Sequence, residues 1–334
     1  MTRVPLSVLD LVSVSSDQTP AQAIDAAMEA AQLVDRLGYE RLWYAEHHNT
    51  ASVASSATSL LVGRAAGLTE RIRVGSGGVM LPNHAPLMVA ENYGTLAQMF
   101  PGRIDLGLGR APGTDQLTAR ALARSSAAPD DFVANVVDLM NWFDGGRDRL
   151  GIHVGVAEGT RVPIWMLGSS TAGATMAAAL GLPYSFASHF APDALFQALE
   201  VYRSNFDAEA STAQIDKPYV SVGINVMACE DEAEAHHQFT VTQNMFLAMQ
   251  RTGGRTKLQP PGEPGFEVTE MARMMADKML QVSAVGTPEQ VAEVMQSVVD
   301  QTGADELITV TYAHDPAVRL RSLELTAQAW GLTG

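Results

Sequence analysis

The feature that most constrains this chain is a repeated alternation: short apolar runs separated by longer helical stretches, carried through most of the 334 residues. Val4–Leu9 is a short apolar run with the length of a buried strand. Thr19-Pro20 then opens an Ala-rich helix that runs to Leu37 and stops at Gly38, a capping residue, a proline at the first helical position and a terminal glycine. Arg41–Ala45, Ile72–Gly75, Ile104–Leu108, Pro163–Leu167, Pro183–Ala187, Tyr219–Met227 and Leu307–Val310 read as further strands. Between them Val53–Leu68, Pro86–Met99, Asp130–Phe143, Thr171–Leu180 and a long stretch from Asp231 read as helices. Strands that alternate with helices imply a parallel sheet covered by helices. About eight strands in one chain favour closure, so the expected fold is α/β, a (β/α)8 TIM barrel with insertions, formed by residues 1–334 as a single domain.

Composition narrows the partners. A hydrophobic content of 46% supplies a large core, and a net charge of −15 repels nucleic acid and anionic membrane surfaces. Cys229 is the only cysteine, which excludes an internal disulfide and a thiolate metal cluster; the alternatives are a catalytic thiol and, as its ordinary role, a small apolar filler in a strand. The N-terminal run is too short for a signal peptide, and no segment reaches the apolar length of a bilayer span, so a cytoplasmic protein is expected. Arg251–Val268, rich in Gly and Pro, is the one long irregular stretch: a mobile loop able to cover an active site, or a plain surface excursion.

In such a barrel the chemistry gathers at the C-terminal ends of the strands. Glu46, His47 and His48 follow the second strand, a carboxylate and two imidazoles suited to proton transfer. Neighbouring residues on a strand face opposite ways, and the chain has no His-Glu-x-x-His or His-x-His, so no metal site is expected. His236-His237 lies in an acidic helix and reads as solvated surface. Gly168-Ser169-Ser170-Thr171-Ala172-Gly173 opens a helix with small hydroxyl residues, which suits an anion at free backbone N–H groups and equally suits ordinary N-capping. Gly107-Leu108-Gly109-Arg110-Ala111-Pro112-Gly113 has the wrong spacing for a dinucleotide fingerprint, and the residue nearest the place of a ribose-binding acid is Arg124. Arg110 follows a strand directly, so it can grip a phosphate at the mouth or pair on the surface with an acid such as Asp115. Gly77 and Gly78 permit close approach of a flat ligand or mark a bulge, and Met80 can pack on a ring or fill the core.

Taken together, the motifs resemble the bacterial luciferase-like flavin-dependent monooxygenases. Trp43 to His48 resembles the Glu-His-His segment of luciferase α subunits, Val74 to Pro86 the third strand and its loop, and Gly102 to Arg110 the fourth strand. Gly168-Ser169-Ser170 with Gly181-Leu182-Pro183 is similar to the phosphate-binding turn and next strand, and Gly286 to Val291 to a C-terminal signature. The resemblance implies reduced FMN (FMNH2) from a separate flavin reductase, O2 as co-substrate and an unidentified small organic substrate. It implies His47 as the catalytic histidine, with Glu46 and His48 orienting it. Arg110, Ser169, Ser170 and Gly173 would hold the phosphate, with Gly77, Gly78 and Met80 beside the ring and a cis peptide at Gly77–Gly78. Pairing through the helices after strands two and three is implied, giving a homodimer. Gly109 stands where luciferase α subunits carry a reactive cysteine, so light emission and an aldehyde substrate are not implied. Deazaflavin F420 in place of FMN, a non-catalytic flavin-binding protein and a metal-dependent barrel hydrolase are the alternatives.

Overall fold

A computed structural model describes residues 3–111, 114–122, 131–253 and 256–332. Pro112, Gly113, Arg124, Asp130, Gly254 and Arg255, which enter the sequence reading, lie outside that set. The described residues form nine parallel strands: β1 (Leu6–Asp10), β2 (Arg41–Tyr44), β3 (Arg73–Met80), β4 (Ile104–Gly109), β5 (Ile164–Gly168), β6 (Tyr184–Phe186), β7 (Val220–Ala228), β8 (Ser283–Gly286) and β9 (Glu306–Val310). β1 to β7 pair in sequence order, and β9 bonds both β7 and β1, so eight strands close a barrel. β8 is the ninth. It pairs only with the second half of β7, where Asn225 has Val310 on one side and Ser283 on the other, so it takes over the edge that short β6 leaves after Val222.

The helices are α1 (Pro20–Leu37), α2 (Thr58–Ala66), α3 (Pro86–Met99), α4 (Gln116–Ala121), α5 (Asp131–Asp144), α6 (Thr171–Ala179), α7 (Leu195–Ser204), α8 (Glu232–Thr252), α9 (Glu270–Met279), α10 (Pro288–Thr302) and α11 (Pro316–Trp330). Local chemistry sets their ends. Thr19 with Gln22, and Thr287 with Gln290, form capping boxes just before a proline, while Gly38 and Gly303 end those helices at φ 82° and 59°. None of the described helices is long and apolar enough to cross a membrane.

Strand alternation builds two layers. Leu6, Val8, Leu42, Val74, Leu106, Ile164, Val222 and Leu307 point outward into one core shared with the helices. Each is at most 2% exposed, and full burial of such a side chain contributes about 1.5–3 kcal/mol. The opposite face fills the barrel with Leu9, Trp43, Ala45, Trp165, Ile308 and Val310. Below this layer is a charged floor. Arg41 donates to Glu306 at 2.8 Å and to Asp105 at 3.0 Å, and Asp105 also takes Arg73 and the indole N–H of Trp43. Ser7 and Tyr219 donate to Glu306 at 2.6 and 3.1 Å. Burial works against the charge on Arg41, but Glu306 and Asp105 outweigh it and raise the guanidinium pKa.

The segment from α8 to α9 is an insertion with its own core of Phe239, Phe246, Leu247, Ala276 and Leu280, and Met245 packs from it onto the barrel filling. Leu258 joins it to the loop after β1 through backbone bonds to Val14 and Ser16. Three sequence expectations change. The 53–68 helix starts only at Thr58, because Ser52 and Val53 are drawn into backbone pairing with Ser13 and Val14. β8 was not anticipated; its four residues are too few to stand out between two helices. The third strand does not stop at Gly75 but runs to Met80, so its glycines are wall rather than turn.

Candidate functional site

The mouth of the barrel is assembled from the C-terminal ends of β2 to β7. Directly after β2, Glu46 is buried to 1% exposure and accepts three sets of hydrogen bonds. His48 Nε2 and His84 Nε2 each donate to Oε1 at 2.8 Å, and the Met80 backbone N–H donates to Oε2 at 3.2 Å. Burial raises the Glu46 pKa, but His84, His48 and Met80 together outweigh it and hold the carboxyl below its ordinary value. An ionised carboxylate accepts only, so both imidazoles carry a proton on Nε2 and, when neutral, leave Nδ1 as the basic nitrogen.

Ligand-type atoms of Glu46, His48 and His84 lie within 4.8 Å of one another. The sequence argument against metal considered only adjacent residues and did not foresee this grouping across two strands. Both imidazole Nε2 atoms lie at hydrogen-bond distance from the one carboxylate, a clamp across two strand ends. His84 was overlooked for a physical reason. With β3 ending at Gly75 it lies nine residues away; with β3 running to Met80, it belongs to the strand-end turn.

His47 is half-buried at the same turn, where its carbonyl accepts from Ser56 Oγ at 2.8 Å. Asn49, at φ 53°, donates to Asp115 Oδ2 at 2.8 Å, and Thr114 Oγ1 donates to the His48 carbonyl at 3.3 Å. These bonds stitch the His-bearing turn to the segment that follows Arg110. Asp115 also caps α4 through Leu117 and Thr118.

Gly77 and Gly78 lie in the inner wall and are joined by a cis peptide, as the resemblance implied. A Cβ at Gly77 would come within 2.6 Å of Leu9 Cδ1, and one at Gly78 within 2.6 Å of the Gly107 carbonyl oxygen. At Gly78 the obstacle is backbone, so only glycine fits there, whereas at Gly77 it is the end of a leucine side chain. The pairing of β3 with β4 shifts register between Ser76 and Val79, which is the bulge anticipated as one alternative. The Met80 side chain lies over Gly109, where a Cβ would be 2.8 Å from its sulfur.

Arg110 is exposed and follows β4 immediately. Gly109 pairs with Met80 on one side and Leu167 on the other, so Arg110 emerges between the ends of β3 and β5. Leu167 precedes the Gly168-Ser169-Ser170 turn; the arginine and the small-residue turn therefore share one end of the barrel on adjacent strands. Ser169 and Ser170 are exposed, and Ser170 occupies the N-cap position of α6 without a side-chain cap bond. The N-capping alternative is thus not used, and the first N–H groups of α6 are left without a serine acceptor. Gly173 is buried, and a Cβ there would lie 3.6 Å from Gly168 Cα and from the Tyr184 ring; Tyr184 OH donates to the Ser170 carbonyl at 3.1 Å.

The β6–β7 side of the mouth adds groups that the sequence analysis did not single out. His189 follows β6 and is 8% exposed, with burial lowering its pKa to about 4. Toward the C-terminal end of β7, Asn225 Oδ1 is buried without a hydrogen-bond partner; Ser221 Oγ shares that property but lies at floor level, in register with Glu306.

Comparison with known proteins places this geometry. A family model for luciferase-like monooxygenases matches residues 4–306. The chain is 43% identical to YvbT, an uncharacterised protein of Bacillus subtilis, across 97% of this chain and 96% of that one. It is 42% identical to a luciferase-like monooxygenase of Escherichia coli K12, with 96% of each chain covered. The crystal structure of apo-MsnO8 superposes with a TM-score of 0.86 at 34% identity, covering 99% of both chains.

Proposed function

The chain belongs to the luciferase-like monooxygenase family, and from that premise we propose that it is an FMN-dependent monooxygenase. In this reading it takes reduced flavin from a separate reductase and uses O2 to oxygenate a small organic substrate in the cytoplasm. The observation that carries the reading is the adjacency of Arg110 to the uncapped start of α6. A guanidinium beside free backbone N–H groups suits a dianionic phosphate, and in a chain of net charge −15 such a cationic rim is a local exception.

The residues present fit the cofactor. Arg110, Ser169 and Ser170 hold the phosphate, and Gly173 lets the chain approach it. The flat Gly77–Gly78 wall and the Met80 end of β3 border the ring. Reduced flavin, when bound, supplies the electrons that activate O2. Glu46 clamps His48 and His84 in one protonation pattern, so the turn carrying His47 is held while His47 moves a proton at the reacting centre. The described part of the insertion, α8 and α9 with residues 256–268, lies against the barrel filling through Met245 and excludes water from the mouth. Two copies pair through α2 and α3, which leave Leu60, Met88 and Met99 more than half exposed. Light scattering is expected to give twice the mass of one chain.

Titration with oxidised FMN, riboflavin and F420 tests the cofactor, with O2 uptake measured after reduction. FMN bound most tightly, with O2 consumed, is the expected result. Preference for F420 without O2 uptake would replace this reading with a deazaflavin-dependent one.

A further inference from the structure

The turn after β6 is fixed to β7 at two points. Ser188 Oγ donates to the Gly223 carbonyl at 2.5 Å, and Asn225 Nδ2 donates to the His189 carbonyl at 2.8 Å. These bonds hold the His189 ring against Gly223. A Cβ at Gly223 would lie 2.3 Å from His189 Nδ1, so the glycine hydrogen on that side points at this nitrogen. Nδ1 is enclosed and has no hydrogen-bond partner. An N–H pressed against a C–H group has no acceptor, whereas a lone pair there receives a weak C–H contact. Nδ1 is therefore the bare nitrogen. Burial lowers the ring pKa to about 4, so the imidazole is neutral at physiological pH and its one proton resides on Nε2.

Nε2 is the nitrogen left for a ligand. Among the described residues no hydrogen bond to it is found. Its surroundings share that incompleteness. Asn225, which follows Gly223 on the inner face of β7 toward the mouth, has a buried oxygen without a partner. Asn225 is fixed in orientation, since its Nδ2 donates to the His189 carbonyl and to Ser283 Oγ at 3.4 Å. On the other flank is β5, whose Gly168 carbonyl accepts from the Ala187 N–H next to the Ser169-Ser170 turn.

We infer that His189 is a pre-set neutral donor in the barrel mouth, offering Nε2–H to a carbonyl oxygen of the flavin pyrimidine ring. The inference rests on the FMN reading above and adds to it a ring contact on the side of the mouth across from the Gly77–Gly78 wall. The donor carries no charge, so it orients the ring without acting as an acid. A neutral imidazole held in one tautomer serves the same purpose wherever a carbonyl must be polarised without proton release.

The test is 15N NMR of histidine-labelled protein, with His189→Gln assigning the signal. The ligand-free protein is expected to show one ring in the Nε2–H form that does not titrate above pH about 5. Oxidised FMN and riboflavin are both expected to shift its Nε2, because the contact is to the ring they share. His189→Leu is expected to weaken both flavins by about tenfold, and His189→Gln, which keeps an N–H near the Nε2 position, to stay within about threefold of wild type. An Nδ1–H tautomer, or titration near pH 6.5, overturns the inference even if His189→Leu does not fold. FMN binding with Nε2 unmoved also overturns it while leaving the cofactor reading intact. Failure to bind any flavin removes the cofactor reading and this contact with it.

Discussion

The floor and the mouth of this barrel use the same chemical groups to opposite ends. At the floor, Arg41, Arg73, Asp105 and Glu306 sit inside the ring of strands, and each charge is answered by another, with Trp43, Ser7 and Tyr219 completing the set. At the mouth, Glu46 is answered by His48 and His84, but Ser169 and Ser170 are exposed, and His189 and Asn225 keep buried polar atoms without partners among the described residues. An unpaired buried polar group costs about 1–3 kcal/mol, which a hydrogen-bonding ligand would offset. The buried charges of the floor thus close on one another, while the mouth presents His189, Asn225 and the exposed serines to the ligand of the proposed reading.

Substitutions can break or sharpen that contrast. The largest effect is expected at the floor. Arg41→Met leaves Glu306 and Asp105 buried with one cation fewer and should cost about 3–5 kcal/mol in urea unfolding. A cost no greater than at exposed positions would remove the distinction. Gly78→Ala comes next. Its Cβ meets the Gly107 carbonyl oxygen at 2.6 Å, backbone that cannot step aside, and overpacking of this kind costs about 1–3 kcal/mol. Flavin affinity should fall with it, since the wall itself moves.

A smaller, pH-dependent effect is expected at Glu46. Its folded-state pKa is lowered, so the carboxylate contributes stability that is present above its ordinary pKa of 4.5 and lost as pH falls through the folded value. Wild type should exceed Glu46→Gln by about 1–2 kcal/mol at pH 7, and the gap should close on acidification. A gap that widens in acid would mean that the clamp is not ionised.

Much of the fold was legible because its signals are local. Thr19-Pro20 and Gly38 announce the ends of α1 by capping chemistry within a few residues, and the outward apolar runs repeat. The Glu46–His48 turn, Arg110 and the Ser169-Ser170 turn were legible as strand-end residues for the same reason. What the sequence hid depends on distance in space. Gly75, Gly77 and Gly78 looked like the end of a strand, although they continue one whose neighbour lies too near for a side chain. That error concealed His84. His189 could be read as a residue after a strand, but its significance depends on Gly223, thirty-four residues later, admitting the ring. No local pattern carries that information.

The account stands on the claim that the open end grips a phosphate, and Arg110→Ala addresses it most directly. With folding stability unchanged, FMN affinity is expected to drop by about 10- to 100-fold while riboflavin affinity stays within about twofold of wild type. Equal losses for the two flavins, or none for either, would contradict it.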